Sequence, residues 1–328
     1  TSPNSPNRLA AAFVATLARP FARQSASFSQ SDSNRSNQKG FPMSISQKAM
    51  LAGVAISAWS ARKLDRKVTD ETNRAHNADS DAGRYNKALL APKALADIMT
   101  ISGKARTEHY ARTLPWSDKG PRILLNVGYS DFAKIMRGLQ GEFDAAVDSF
   151  VAGYPDMVAA ARVRLNGMFD ATDYPDAGEI RSRFRFKTQI WPMPDAGDFR
   201  VELSQGESER IRAEIQAEFD ASIQMAMSDV FNRIADVTGK MAESLPAYTP
   251  GQRTGVFRDS LVENVRELVA LLPSLNITGD ATLERIGKRM QAELCRYDPD
   301  ALREDAAVRK ETADAATSIL AEISDFLA

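Results

Sequence analysis

The apolar positions of this chain recur mostly at steps of three and four, the period of helices that each bury one face, with short alternating stretches between them. The clearest segment of the front half is 132–150. Phe132, Leu139 and Ala146 form one row and Met136, Phe143 and Phe150 a second, a seven-residue repeat that predicts the seam of a packed, coiled-coil-like helix. Tyr154-Pro155-Asp156 follows. Proline has no N–H for a helix interior and fits a first turn, so a break is expected there, with a second helix returning antiparallel. Tyr174-Pro175-Asp176 repeats that punctuation.

A longer stripe runs through Ile211, Ile215, Phe219, Ile223, Met227, Phe231, Ile234, Met241 and Leu245, with one wider gap at Val237. Unbroken, such a helix extends about 60 Å at 1.5 Å per residue. Ser204 and Glu207 before it match a capping box, Gly239 weakens it late and Pro246 stops it. Three shorter helices are expected in the tail. One carries Phe257, Leu261, Val265, Leu268 and Leu272 up to Pro273. The next carries Leu283, Ile286, Met290 and Leu294 behind Asp280. The last, capped by Asp298-Pro299, carries Leu302, Val308, Ile319, Ile323 and Leu327.

Three stretches alternate as strands do. Val54 and Ile56 alternate with small residues within 51–59. Residues 181–190 put Arg181, Arg183, Arg185 and Lys187 on one face and Phe184, Phe186 and Ile190 on the other. Residues 199–203 alternate again. Residues 65–85 have no sustained apolar period and read as a loop with at most a helical turn. Residues 89–110 read as a helix, with breaks at Pro115 and Gly120-Pro121. The expected fold is therefore mainly α. It has long helices and a C-terminal helical bundle, with a small antiparallel β-sheet near 54–59, 182–190 and 199–203. The expected regions are an appendage at 1–42, a basic region with a short strand at 43–125, a helical hairpin with sheet and long helix at 126–245, and the bundle at 246–328.

Charge changes this picture more than composition does. The 328 residues leave room for roughly two domains, and net charge is -1. That near-neutrality is an average. Residues 43–122 hold 14 basic and 8 acidic residues, a net of +6, and residues 1–42 a net of +4, which leaves -11 for the rest. Such a layout points to a charged partner or to oriented self-association. Residues 1–42 begin with Thr and are rich in Ser, Asn and Ala. Their acid-free, Arg-bearing start has the composition of a mitochondrial transit peptide. A simpler expectation is a translated upstream stretch before a natural start at Met43. A cytoplasmic protein is expected on that reading, and a mitochondrial one only on the other.

Candidate chemistry is sparse. One Cys (Cys295) cannot form an internal disulfide, and His76 and His109 are the only imidazoles. The chain has no nucleophile elbow, no Walker loop and no Gly-rich dinucleotide fingerprint. Asn77-x-Asp79-x-Asp81 begins like a calcium loop. Its sixth and twelfth places are Ala82 and Ala88 where the pattern needs Gly and Glu. No catalytic, cofactor or metal residue is therefore assigned, and no apolar run is long enough to cross a membrane.

Several strings resemble a family of uncharacterised proteins of bacteria and their tailed phages, a domain of unknown function. They are Ile56-Ser-Ala-Trp59-Ser-Ala-Arg-Lys63, Arg84-Tyr-Asn-Lys87, Leu114-Pro-Trp-Ser-Asp-Lys-Gly-Pro-Arg-Ile-Leu124, Tyr174-Pro175 and Arg183-Phe-Arg-Phe186, spread over about residues 50–245. The resemblance brings no catalytic residue. It implies a gene neighbourhood with MoxR-like AAA+ ATPases and von Willebrand-factor-A-type proteins, or among phage early genes. The expected function is a non-enzymatic interaction protein, an accessory of such an ATPase, contacting its partner through Trp59, Arg62, Lys63, Trp116 and Arg122. The alternative is a single-stranded nucleic-acid-binding accessory of phage replication or recombination. It would use the basic ladder Arg181, Arg183, Arg185 and Lys187, with Trp191 near its end for stacking.

Overall fold

The computed structural model describes residues 45–117, 119–194, 205–252 and 255–327. The expected strand at 199–203, Ser204 of the capping box and the Met43 start lie outside them. A helical turn at Ile45–Lys48 leads into β1 (Ala49–Ser57), followed by β2 (Arg62–Leu64), α1 (Arg66–Ala75), β3 (Asn86–Ala88) and α2 (Ala96–Arg112). Then come β4 (Leu114–Pro115), β5 (Arg122–Leu125), α3 (Asn126–Leu165), β6 (Arg185–Pro192) and α4 (Gln205–Ala247). The tail holds α5 (Ser260–Leu275), α6 (Ala281–Glu293), α7 (Pro299–Glu304) and α8 (Ala306–Leu327). The molecule is mainly helical with a minor antiparallel sheet, as its periodicity predicts. No helix among the described residues is long and apolar enough to cross a membrane.

The chain divides into two compact units, Ala49–Ser222 and, with the turn at Ile45–Lys48, Ile223–Ala328. In the first, a four-stranded sheet has the order β4-β5-β1-β6. β1 is antiparallel to both neighbours, pairing Leu51 with Ile123 on one side and Ile56 with Phe186 on the other. The basic region before 125 and the segments after 126 thus share one sheet. A separate ribbon pairs β2 with β3.

The core of this unit lies along α3. Phe132, Met136, Leu139, Phe143, Val147, Phe150 and Tyr154 are buried on one stripe, packed with Ala52, Leu124, Phe184 and Phe186. The seven-residue repeat places Ala146 on that seam, and the structure gives the buried place to Val147. A straight helix turns 3.6 residues per turn, so it drifts off a strict seven-residue row after two repeats. Pro155 does not break the helix. α3 runs 40 residues through it. Packing on both sides of Pro155, by Phe150 and Tyr154 before it and Ala161 after it, outweighs the lost hydrogen bond. The expected hairpin is absent, and Tyr174-Pro175 belongs to a stretch of short 3-10 turns with one α-helical turn, Ala177–Ile180, that leads to Arg181–Arg183.

Residues 65–85 also differ from the expectation. α1 is a real helix whose N-cap Asp65 accepts from the Val68 N–H at 3.1 Å. It escapes the apolar pattern because its buried residues are Thr69 and Asn73. The Asn73 amide donates to Ser80 O, 3.1 Å away, and this closes the Asp-rich turn that looks like a calcium loop.

In the second unit, the stripe of α4 buries Ile223, Ala226, Val230, Phe231, Ile234, Met241 and Leu245. The gap near Val237 is filled by buried Thr238, whose hydroxyl donates to the Ile234 carbonyl at 2.7 Å. α5 and α6 cross closely at Gly287, where a Cβ would stand 3.1 Å from Leu272 Cδ1. Pro273 lies inside α5, so that helix ends at Leu275 and not before the proline. The expected single last helix is two, because the Asp305 carboxylate accepts from the N–H of Ala307 and Val308 and starts α8 anew.

Candidate functional site

Lys87, in the middle of β3, has a side chain only 6% exposed. Its ammonium lies 2.7 Å from Asp173, 3.4 Å from Asp65 and 2.8 Å from the Met168 carbonyl. Lys63 on β2 approaches the same Asp173 at 2.5 Å from the solvent side, and the Asp173 side chain is 4% exposed. Four charges from three places in the chain (the β2–β3 ribbon, the N-cap of α1 and the turn after α3) therefore form one enclosed network. Burial by itself lowers the pKa of Lys87. The hydrogen bond and charge of Asp173, then those of Asp65, more than offset it and hold the pKa above its ordinary value. Burial pushes the Asp173 carboxyl up, and Lys63 and Lys87 together bring it below the usual carboxylate range. Asp65 is held low mainly by the Val68 N–H. Lys87, Asp173 and Asp65 are thus charged at neutral pH.

The surrounding frame is stiff. Tyr174 donates to the Leu89 carbonyl at 2.9 Å and stacks on Phe169, with ring centroids 5.2 Å apart. Arg162 covers Phe169, 5.1 Å from its centroid, and Arg164 donates to the Ala88 carbonyl at 2.6 Å. Tyr154, whose hydroxyl donates to Pro175 O at 3.0 Å, has its pKa pushed up to about 12 by burial.

Two open clefts flank the network. One, of about 690 Å³, is walled by Trp59, Arg62, Lys63, Asp173, Asp176 and Arg183. The other, of about 1060 Å³, is walled by Arg66, Lys67, Glu71, Arg162 and Asp170 and shares Lys63 and Asp173 with the first. Both rims mix signs.

Of the five expected contact residues, Trp59, Arg62 and Lys63 share the first cleft. Trp59 also packs edge-on against Tyr154, with centroids 5.9 Å apart. Trp116 and Arg122 line neither cleft. Trp116 is half-buried against Phe219, and Arg122 donates to the Thr113 hydroxyl at 2.9 Å and carbonyl at 3.0 Å while lying over the Tyr110 ring. Arg122 thus holds β5 to the end of α2.

The four-cation ladder does not form as one strand face. Arg181–Arg183 is a 3-10 turn, and the strand starts at Arg185. Arg181 is paired with Asp144 at 3.3 Å and Asp148 at 3.1 Å on α3, and Arg183 turns toward the Trp59 cleft. Arg185 and Lys187 remain exposed on β6 and alternate with Trp191. Ile190, expected inside, is 41% exposed.

His109 is buried, and its pKa falls to about 4 because burial disfavours the imidazolium, with Arg122 nearby adding to the effect. Cys295 is buried, which raises its thiol pKa. Among the described residues, no group of three or more His, Cys, Asp or Glu is placed to hold a metal ion. Sequence reasoning missed Lys87, Asp173 and Asp65. Their only signal was the string Arg84-Tyr-Asn-Lys87 and Asp65 two residues after Lys63, which carry no periodicity. No protein-family model, no curated protein and no solved structure matches the chain.

Proposed function

We propose that this chain is a non-enzymatic interaction protein that docks a protein partner on the rim of the clefts around Lys87. The observation that supports this most is the buried Lys63–Asp173–Lys87–Asp65 network, which fixes a mixed-charge surface beside Trp59. A rim of alternating sign complements a folded protein surface, and such charges set orientation and specificity. A phosphate backbone calls instead for an uninterrupted run of cations. The partner to test first is the one implied by the family resemblance, a MoxR-like AAA+ ATPase of a system with a von Willebrand-A-type protein.

Arg62 and Arg183 are the residues to reverse, since both are exposed on the cleft wall. Lys63 is unsuitable because its loss disturbs Asp173. The double variant Arg62→Glu/Arg183→Glu should keep its helical circular dichroism and bind a MoxR-like ATPase at least about tenfold more weakly, a change of about 1.4 kcal/mol. Equal capture by both proteins refutes the docking surface.

The second reading, a nucleic-acid accessory, is favoured by Arg185, Lys187 and Trp191 alternating along exposed β6. It predicts that labelled oligothymidylate binds at low salt, with a log–log salt slope of about -0.7 per phosphate contact. No anisotropy change at low salt removes it.

A further inference from the structure

A cavity of about 360 Å³ lies between α3 and β6, away from the Lys87 network. Its apolar walls are Phe132, Met136, Phe186 and Ile190, and Arg137, Gln140 and Lys187 bring polar groups to it. Its volume falls within the range of small-molecule pockets. Two features distinguish it from a packing defect. Tyr129 and Ile190, two large apolar side chains about 41% exposed, belong to its lining. No carboxylate lines it, although acids are as abundant as bases in the whole chain, and its charged residues, Arg137 and Lys187, are cations.

From these observations we infer that the cavity between α3 and β6 is a binding site for a small amphipathic carboxylate. The apolar body lies against Phe132, Met136, Phe186 and Ile190. The exposed Arg137 guanidinium faces the carboxylate. A neutral apolar ligand leaves Arg137 without use. The inference does not depend on the protein-docking reading, since the two sites share no residue.

Titration calorimetry of the full chain with sodium octanoate and, separately, with 1-octanol tests it. Octanoate should bind saturably at one site, and octanol at least about tenfold more weakly. Arg137→Gln should bring octanoate down to the octanol level, and Ala133→Phe, which places a ring in the cavity from the α3 wall, should abolish both. Absence of saturable octanoate binding, or binding unaffected by Arg137→Gln and Ala133→Phe, overturns the proposal.

Discussion

Lys87 is where a single residue matters most. Its ammonium is enclosed by Asp173 and Asp65, so removing it leaves Asp173 with the half-exposed Lys63 alone and Asp65 with the Val68 N–H alone. Lys87→Met should cost roughly 3–5 kcal/mol in urea unfolding, the range for breaking a buried pair on one side. Lys63→Met removes the half-exposed partner of Asp173 and should cost far less. His109 supplies the pH dependence. Its folded pKa of about 4 is below the ordinary 6.5, so between these values the unfolded chain binds the extra proton. Stability is therefore complete above about 6.5 and falls as pH drops toward about 4, by about 3 kcal/mol in all. His109→Phe should flatten that part of the profile relative to the natural protein. Thr188→Val removes a buried hydroxyl without a partner and should stabilise the free protein by about 1 kcal/mol. None of these three roles is legible in the sequence. A lone lysine in a polar string and a histidine on a helix carry no periodic signal, and only the fold brings them to their neighbours.

At the scale of elements, apolar periodicity predicts well and punctuation predicts less. The stripes of α3 and α4, the cap at Asp280, the helix start after Asp298 and the antiparallel pairing of β1 with β6 follow from residue spacing. The errors have local causes. Pro155 sits in mid-helix because buried neighbours on both sides hold the helix together. α1 is hidden because it buries Thr69 and Asn73 in place of aliphatic residues. Arg181 leaves the expected strand because Asp144 and Asp148 on α3 hold it in a turn. β2, β3, β4 and β5 are two to four residues long, too short to show alternation. Pro155→Ala restores a backbone donor in α3. It should raise stability by about 2 kcal/mol, the helix-interior penalty of proline less its effect on the unfolded chain. An unchanged or lower denaturation midpoint contradicts the account of why α3 stays continuous.

At the scale of the molecule, the contrast between a basic front and an acidic back takes on a different meaning. The front of the chain does not stand apart as a cationic module, because β1 lies between β5 and β6 in one sheet. Part of its charge is neutralised within the unit, Lys63 and Lys87 by Asp173. Its surface charges include a mixed-sign rim beside Trp59, and β6 carries a short cationic edge. The proposed function assigns the first to a protein partner and keeps the second as the competing nucleic-acid reading. Two charge-reversal pairs separate them. Binding of a MoxR-like ATPase, the proposed partner, to the full chain should be measured by interferometry for the natural protein, for Arg62→Glu/Arg183→Glu and for Arg185→Glu/Lys187→Glu. The account predicts a loss of at least about tenfold in affinity for the first pair and no change beyond about twofold for the second, a difference of more than about 1 kcal/mol. Equal affinities for the natural protein and the Arg62→Glu/Arg183→Glu variant, or a loss confined to Arg185→Glu/Lys187→Glu, contradict it.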